Sequence, residues 1–195
     1  MSVLPDWMYP PREEGWFAED LDSLTEAPRH TELIDGALIF MMSPQRAWHS
    51  RVVSGLTFEL QLQAPDGIDV EREMTIRLDP RNRPEPDLLV VDAEYRRSRT
   101  WFAPDEVLLV VEVVSPESEH RDRTVKHRKY AEAGIPHYWR IEEEGDGVVA
   151  HVYELDLATA TYFTVGIFRG KLERPVPFPV TLDLDTLERS RRRPD

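Results

Sequence analysis

Residues 107–114 read VLLVVEVV, seven aliphatic side chains and one acid in eight positions. A strand with one face in water alternates polar and apolar residues, whereas a near-continuous aliphatic run belongs to a strand covered on both faces. Glu112 therefore sits in a buried strand, where an ionised carboxylate costs several kcal/mol unless it is paired, hydrogen-bonded or bound to a metal. Asp87 repeats the pattern at the mouth of LLVV, residues 88–91. Two acids on two core strands point to a shared oxygen-ligand site. The plainer alternatives are an arginine from a packed helix neutralising Glu112, and a turn-capping role for Asp87 after Pro86. Glu85, just before the strand, reads as a solvated loop acid.

The chain of 195 residues suits one domain, read here as residues 16–188 between an irregular arm (1–15) and a basic tail (189–195). At this length folding buries roughly 70% of the unfolded surface, so the core needs no disulfide or metal staple. The absence of cysteine excludes a thiol nucleophile, a Cys-ligated zinc or iron–sulfur site and a disulfide scaffold. Residues 1–15 carry no basic stretch followed by an apolar run, and no window approaches the ~20 apolar residues of a membrane span. The expectation is a soluble, cytoplasmic protein with no membrane partner.

Along the chain, a short helix is predicted over 16–26. Asp35-Gly36 between apolar runs predicts a tight hairpin, because both central residues of that turn favour positive φ. Trp48, Val52, Leu56 and Leu60 recur every three to four residues and predict an amphipathic helix over 45–63, with Ser43 as its cap. One strand is read over 70–78, then strands at 88–91, 107–114 and 137–142. A helix over 119–133 stops at Gly134 and Pro136. VVAHVYEL and TYFTVGIF form a hairpin, and Gly166–Lys171 reads as a turn.

Formal net charge is −13, from 24 basic and 37 acidic residues, which opposes nucleic acid at long range. The charge is uneven. Basic clusters lie at 95–99 (YRRSR) and 120–129 (HRDRTVKHRK), and an anionic substrate would have to meet one of them. Within the second cluster Asp122, Lys126 and Lys129 project on nearly one helix face, and a helix that follows the Glu112 strand can return Lys126 to that strand's end. An ordinary Asp122–Lys126 helix pair is the simpler reading of the spacing alone. The six histidines show neither HExxH nor paired spacing, which argues against a zinc enzyme. Tyr130 and Trp139 could stack on bases, although packing explains both more simply.

The Pro86-Asp87 strand start, the strand with an internal acid and the following lysine together resemble the PD-(D/E)XK nuclease superfamily. More narrowly, ELIDG (32–36), PDLLVV (86–91), VVEVVSPESEHRDRTVKHRKYAEAGIP (110–136) and HYWRIE (137–142), in this order, resemble the Uma-two family of restriction-endonuclease-like proteins. The resemblance covers about residues 17–187. It implies an α/β fold, a restriction-endonuclease-like mixed β-sheet core flanked by helices with additional hairpins. It also implies a phosphodiesterase site dependent on Mg²⁺ or Mn²⁺. Asp87, Glu112 and Glu32 would be metal ligands and Lys126 the catalytic lysine, with Ser115, Asp122 and His49 supporting. The position two after Glu112 is Val114 where the superfamily has lysine; the lysine stands instead on the next helix. His49 is either a satisfied helix histidine or part of the site.

Three functional readings follow: a metal-dependent endonuclease, a binding or assembly module that keeps the fold without turnover, and a two-carboxylate hydrolase such as a glycosidase. For the first, the expected partner is nucleic acid, DNA ahead of RNA. By analogy with nucleases that pair to cut both strands, a homodimer is expected.

Overall fold

The computed structural model describes residues 4–41 and 44–188. Its centre is a six-stranded mixed sheet in the order β10-β9-β8-β7-β5-β3, formed by β3 (Asp69–Arg72), β5 (Leu88–Val91), β7 (Val107–Val113), β8 (His137–Glu144), β9 (Gly147–Asp156) and β10 (Thr161–Arg169). Every neighbouring pair is antiparallel except β7–β8. A parallel pair cannot be joined by a tight turn, so the chain crosses over through α2 (Lys126–Glu132).

The aliphatic run of β7 divides between two cores, as a strand buried on both faces must. Leu109, Val111 and Val113 join Leu88 and Val90 against Val52, Val53, Leu56 and Leu60 of α1 (Ala47–Gln63). Val110 joins Leu89 and Val91 against Tyr130 of α2, with Tyr138 beside it. Period two then places Glu112 on the face of Val110, towards α2.

The hairpin of β1 (Thr31–Ile34) and β2 (Ala37–Phe40) forms at the expected turn, with Asp35 at φ 51° and Gly36 at φ 76°. It is tied to the loop before β5 by Leu33 N–H to the Arg83 carbonyl (3.1 Å) and Arg83 N–H back to Leu33 (2.7 Å). The buried Arg83 guanidinium bonds Thr75, the Ala18 carbonyl and Asp22, which anchors the amino-terminal segment to the same loop.

Several local expectations change. Residues 16–26 form only a 3₁₀ turn, Ala18–Asp22, closed by the Asp20 carboxylate on the Phe17 N–H. The strand expected over 70–78 breaks at Glu73, whose φ of 53° turns the chain out of the sheet into β4 (Thr75–Ile76), paired in parallel with β6 (Trp101–Phe102). The helix over 119–133 contains a π segment, Arg121–Val125, closed by Lys126 N–H on the Arg121 carbonyl. Gly166 lies inside β10 at a bulge, and only Gly170 (φ 66°) makes the turn. A hairpin of β11 (Lys171–Arg174) and β12 (Val180–Asp183), unforeseen in the sequence, covers the α1 core with Leu172, Val180 and Leu182. Helix α1 starts without a side-chain cap at Arg46, and the expected cap, Ser43, lies outside the described residues, as does the tail at 189–195.

Helix α1 passes close to Leu187 at Gly55, where a β-carbon would stand 2.6 Å from the Leu187 carbonyl oxygen. Glycine to alanine normally stabilises a helix by about 1 kcal/mol. Here backbone blocks the space, so Gly55→Ala should instead destabilise by about 1–3 kcal/mol, read as a lower urea midpoint at unchanged m-value.

Candidate active site

Strand β7 delivers Glu112 to the seam between the sheet and α2, where it is 2% exposed. The helix meets it with two side chains one turn apart. Lys126 Nζ lies 3.1 Å from Glu112 Oε1, and the Tyr130 hydroxyl donates to the same oxygen at 2.8 Å. Strand β1 brings Glu32, 1% exposed, whose Oε1 is 2.6 Å from Lys126 Nζ and accepts the Glu85 N–H at 2.8 Å. Asp122, 1% exposed within the π segment, stands 3.7 Å from the same ammonium. Three buried carboxylates thus surround one lysine.

Burial raises the Glu112 carboxyl well above the usual range; the Lys126 charge opposes this, while Asp122, Asp87 and Glu32 add to it. Asp122 is raised for the same principal reason. Burial alone would lower Lys126, but Glu112, Glu32 and Asp122 outweigh it and hold the ammonium well above its ordinary pKa. Burial, reinforced by Glu112, likewise raises the Tyr130 phenol, so its hydroxyl stays a donor. Among the described residues Glu32 Oε2 and both Asp122 oxygens are buried without a hydrogen-bond partner.

Asp87 lies just before β5, held from two sides. Its Oδ2 accepts the Val113 N–H at 2.7 Å, which ties it to the residue after Glu112, and its Oδ1 is 3.1 Å from His49 Nε2 on α1. Burial lowers the His49 pKa, but the hydrogen bond and charge of Asp87 carry it above its ordinary value. Glu32, Asp87, Glu112 and Lys126 line one cavity of about 90 Å³, together with His30, Glu85 and His49. Asp122 does not line it. Ser115 reaches the cavity wall, and its hydrogen bonds go to Ser118, starting the turn whose Ser118 carbonyl accepts the Asp122 N–H.

Three features were not anticipated. Tyr130 is neither a base stacker nor simple packing, since it is bonded to Glu112; its place two turns after Asp122 and one after Lys126 was the available signal. Glu85 is not a solvated acid: its side chain is 13% exposed and lies 2.5 Å from His30 Nδ1, across 55 residues of chain. The alternative of an arginine neutralising Glu112 gives way to lysine and tyrosine. The basic run of 120–129 is not an open cationic face either. Arg123 pairs with Glu119 and Glu142, Arg128 with Glu132 and Lys129 with Asp35. Arg121 has no carboxylate partner among the described residues; its Nη2 lies 3.0 Å from the Met41 sulfur and its buried Nε is unbonded.

The donor set is entirely hard oxygen, the type that suits Mg²⁺ or Mn²⁺, and the unpartnered Glu32 Oε2, on a residue that lines the cavity, fits a cation. No group of three or more His, Asp or Glu among the described residues forms a ready-made cage. Mg²⁺ does not require one, because it keeps several waters and binds through one or two carboxylates.

No helix among the described residues is long and apolar enough to cross a membrane. A search of curated proteins finds no match. Among solved structures, the chain resembles one from Anabaena variabilis titled as a "putative nuclease belonging to DUF820". The TM-score is 0.61 and the identity 20%, over 80% of this chain and 88% of that one, a likeness of fold. The model of the Uma2 family, described as "Putative restriction endonuclease", matches residues 18–188. With the α/β sheet, the crossover lysine and the acid-lined cavity all inside that span, the chain belongs to the Uma2 family.

Proposed function

We propose that this chain is a metal-dependent endonuclease that hydrolyses phosphodiester bonds of nucleic acid in the cavity between β1, β5, β7 and α2. The observation that carries the reading is the excess of buried acid around Lys126. One ammonium cannot compensate Glu32, Glu112 and Asp122 together, and uncompensated buried charge is costly. A divalent cation at the open side of the cavity removes that imbalance. Asp87 and Glu112 would hold it, with Glu32 completing the set. The bound ion supplies a polarised phosphoryl oxygen and a water of lowered pKa.

The chain's own groups do the rest. Val113 N–H and His49 hold Asp87, and Tyr130 and Lys126 hold Glu112, so both carboxylates are pre-oriented. Lys126 stays protonated and offsets charge building on the phosphoryl oxygens. In this reading the substrate is DNA ahead of RNA. Cutting both strands of a duplex with one site per chain calls for two copies, so a homodimer belongs to this reading. A second reading, a module with this fold but no turnover, draws on Lys126 itself occupying the acids and on the lack of a ready cation cage.

The two readings separate by calorimetry and cleavage assay on the whole chain. Glu112→Gln keeps the shape of the side chain and should abolish Mn²⁺ binding heat and lower Mn²⁺-dependent cleavage by about 100-fold or more. Wild-type protein that neither takes up Mn²⁺ nor cuts single- or double-stranded substrates would leave only the second reading. Tyr130→Phe removes one hydroxyl and should weaken Mn²⁺ binding about 10–100-fold while the circular dichroism spectrum is unchanged.

The pH dependence has a definite sign. Burial raises the Glu112 pKa, so a cation that needs the carboxylate competes there with a proton. Mn²⁺ affinity should therefore rise as the pH is raised, with a heat that depends on the buffer's ionisation enthalpy in the sense of proton release. A flat profile would contradict the assignment of Glu112 as ligand.

A further inference from the structure

A second recess adjoins the acidic cavity. Its volume is about 210 Å³, and Met41, Pro44, Trp48, Val114 and Pro116 give it an apolar lining. Met41, Gln45, His49 and Ser115 line both spaces, so whatever lies in one has a neighbour in the other. Trp48 belongs to the apolar stripe of α1, yet it stays half-buried where Val52, Leu56 and Leu60 are fully enclosed, and it borders this opening.

We propose that this recess receives one unpaired nucleobase of the strand whose phosphodiester occupies the acidic cavity. The inference rests on the nuclease reading and adds the form of substrate to it. The recess is smaller than the ~300 Å³ of pockets that take drug-sized ligands, so it suits a single ring system and excludes a base pair. Its lining offers an aromatic face and apolar edges, the surface on which bases of any sequence stack. Gln45 and Ser115 at the shared wall supply polar atoms for a base edge. An aliphatic peptide side chain would use the apolar lining but not the polar atoms of Gln45 and Ser115 at the shared wall. A base inside a duplex is stacked and paired, so the preferred substrates are single strands, bulges and flaps, or duplexes from which a base is extruded.

The test uses the full chain without Mn²⁺, so that nothing is cut, and fluorescence anisotropy with three labelled DNA probes: a duplex with one unpaired nucleotide, the same duplex with an abasic residue there, and the fully paired duplex. Wild type should bind the unpaired base about tenfold more tightly than the abasic probe. Trp48→Ala should bring that ratio close to one, and Trp48→Phe, which keeps an aromatic face, should retain most of it. Val114→Phe, which narrows the recess without touching the helix, should also abolish it. Equal binding of base and abasic probes by wild type overturns the proposal, as does a ratio that survives both Trp48→Ala and Val114→Phe. Mn²⁺-dependent cleavage with no base preference sinks this inference and leaves the nuclease reading standing. A base preference without cleavage supports the recess and defeats the nuclease reading. A ribonucleotide version of the unpaired probe that shows the same ratio supports recognition of the base itself; loss of the ratio there confines the inference to DNA.

Discussion

The ammonium of Lys126 lies where three acids from different parts of the chain meet, and the arrangement of the centre follows from that. Glu112 comes from the middle of the sheet, Glu32 from an outlying hairpin and Asp122 from the turn that leads into α2. Each of these carboxylates is too deeply buried to be tolerated alone. The lysine makes their approach possible, but one ammonium does not balance three carboxylates, and the proposed cation rests on that remaining imbalance. The neutral Tyr130 hydroxyl adds a hydrogen bond to Glu112 without adding a second positive charge that would reduce that imbalance.

Two features of the backbone bring the cluster about. The parallel pairing of β7 with β8 forces a crossover, and the crossover lays α2 across the face on which Glu112 points. The π segment at Arg121–Val125 then inserts one wider turn just before Lys126. Such turns shift the side chains on either side relative to a regular helix and recur at functional sites. Here the outcome is that Asp122 and Lys126 both face inward, while Arg123 is directed out to Glu119 and Glu142. The lysine of the cluster thus comes from this helix and not from the position two residues after Glu112. Val114 therefore remains apolar, and it lines the adjoining recess.

Much of this was legible in the residues because buried charge is expensive and therefore conspicuous. One acid in an aliphatic strand, and another at the mouth of a second, marked Glu112 and Asp87 before any contact was known. Asp35-Gly36 marked its hairpin because few residue pairs adopt two consecutive positive φ angles. What could not be read were contacts made at long range. The Glu85–His30 pair spans 55 residues, and no local pattern announces it. Nor does the spacing of Arg123 and Glu142, or of Lys129 and Asp35, reveal that the basic run is largely neutralised. The break at Glu73 was missed because a glutamate gives no sign of a left-handed backbone, and the β11–β12 hairpin because its strands have only four residues each.

The sequence by itself determined a doubly covered sheet, its buried acids, its main helices and the turn between β1 and β2, since periodicity and desolvation are properties of neighbouring residues. The tertiary structure decided which groups share a proton or a charge: that Glu32 meets Lys126, that Asp87 leans on His49, and that an apolar recess opens beside them. Those facts depend on strand register and helix placement, which are set by the packing of the whole sheet and leave no trace in any one stretch of chain.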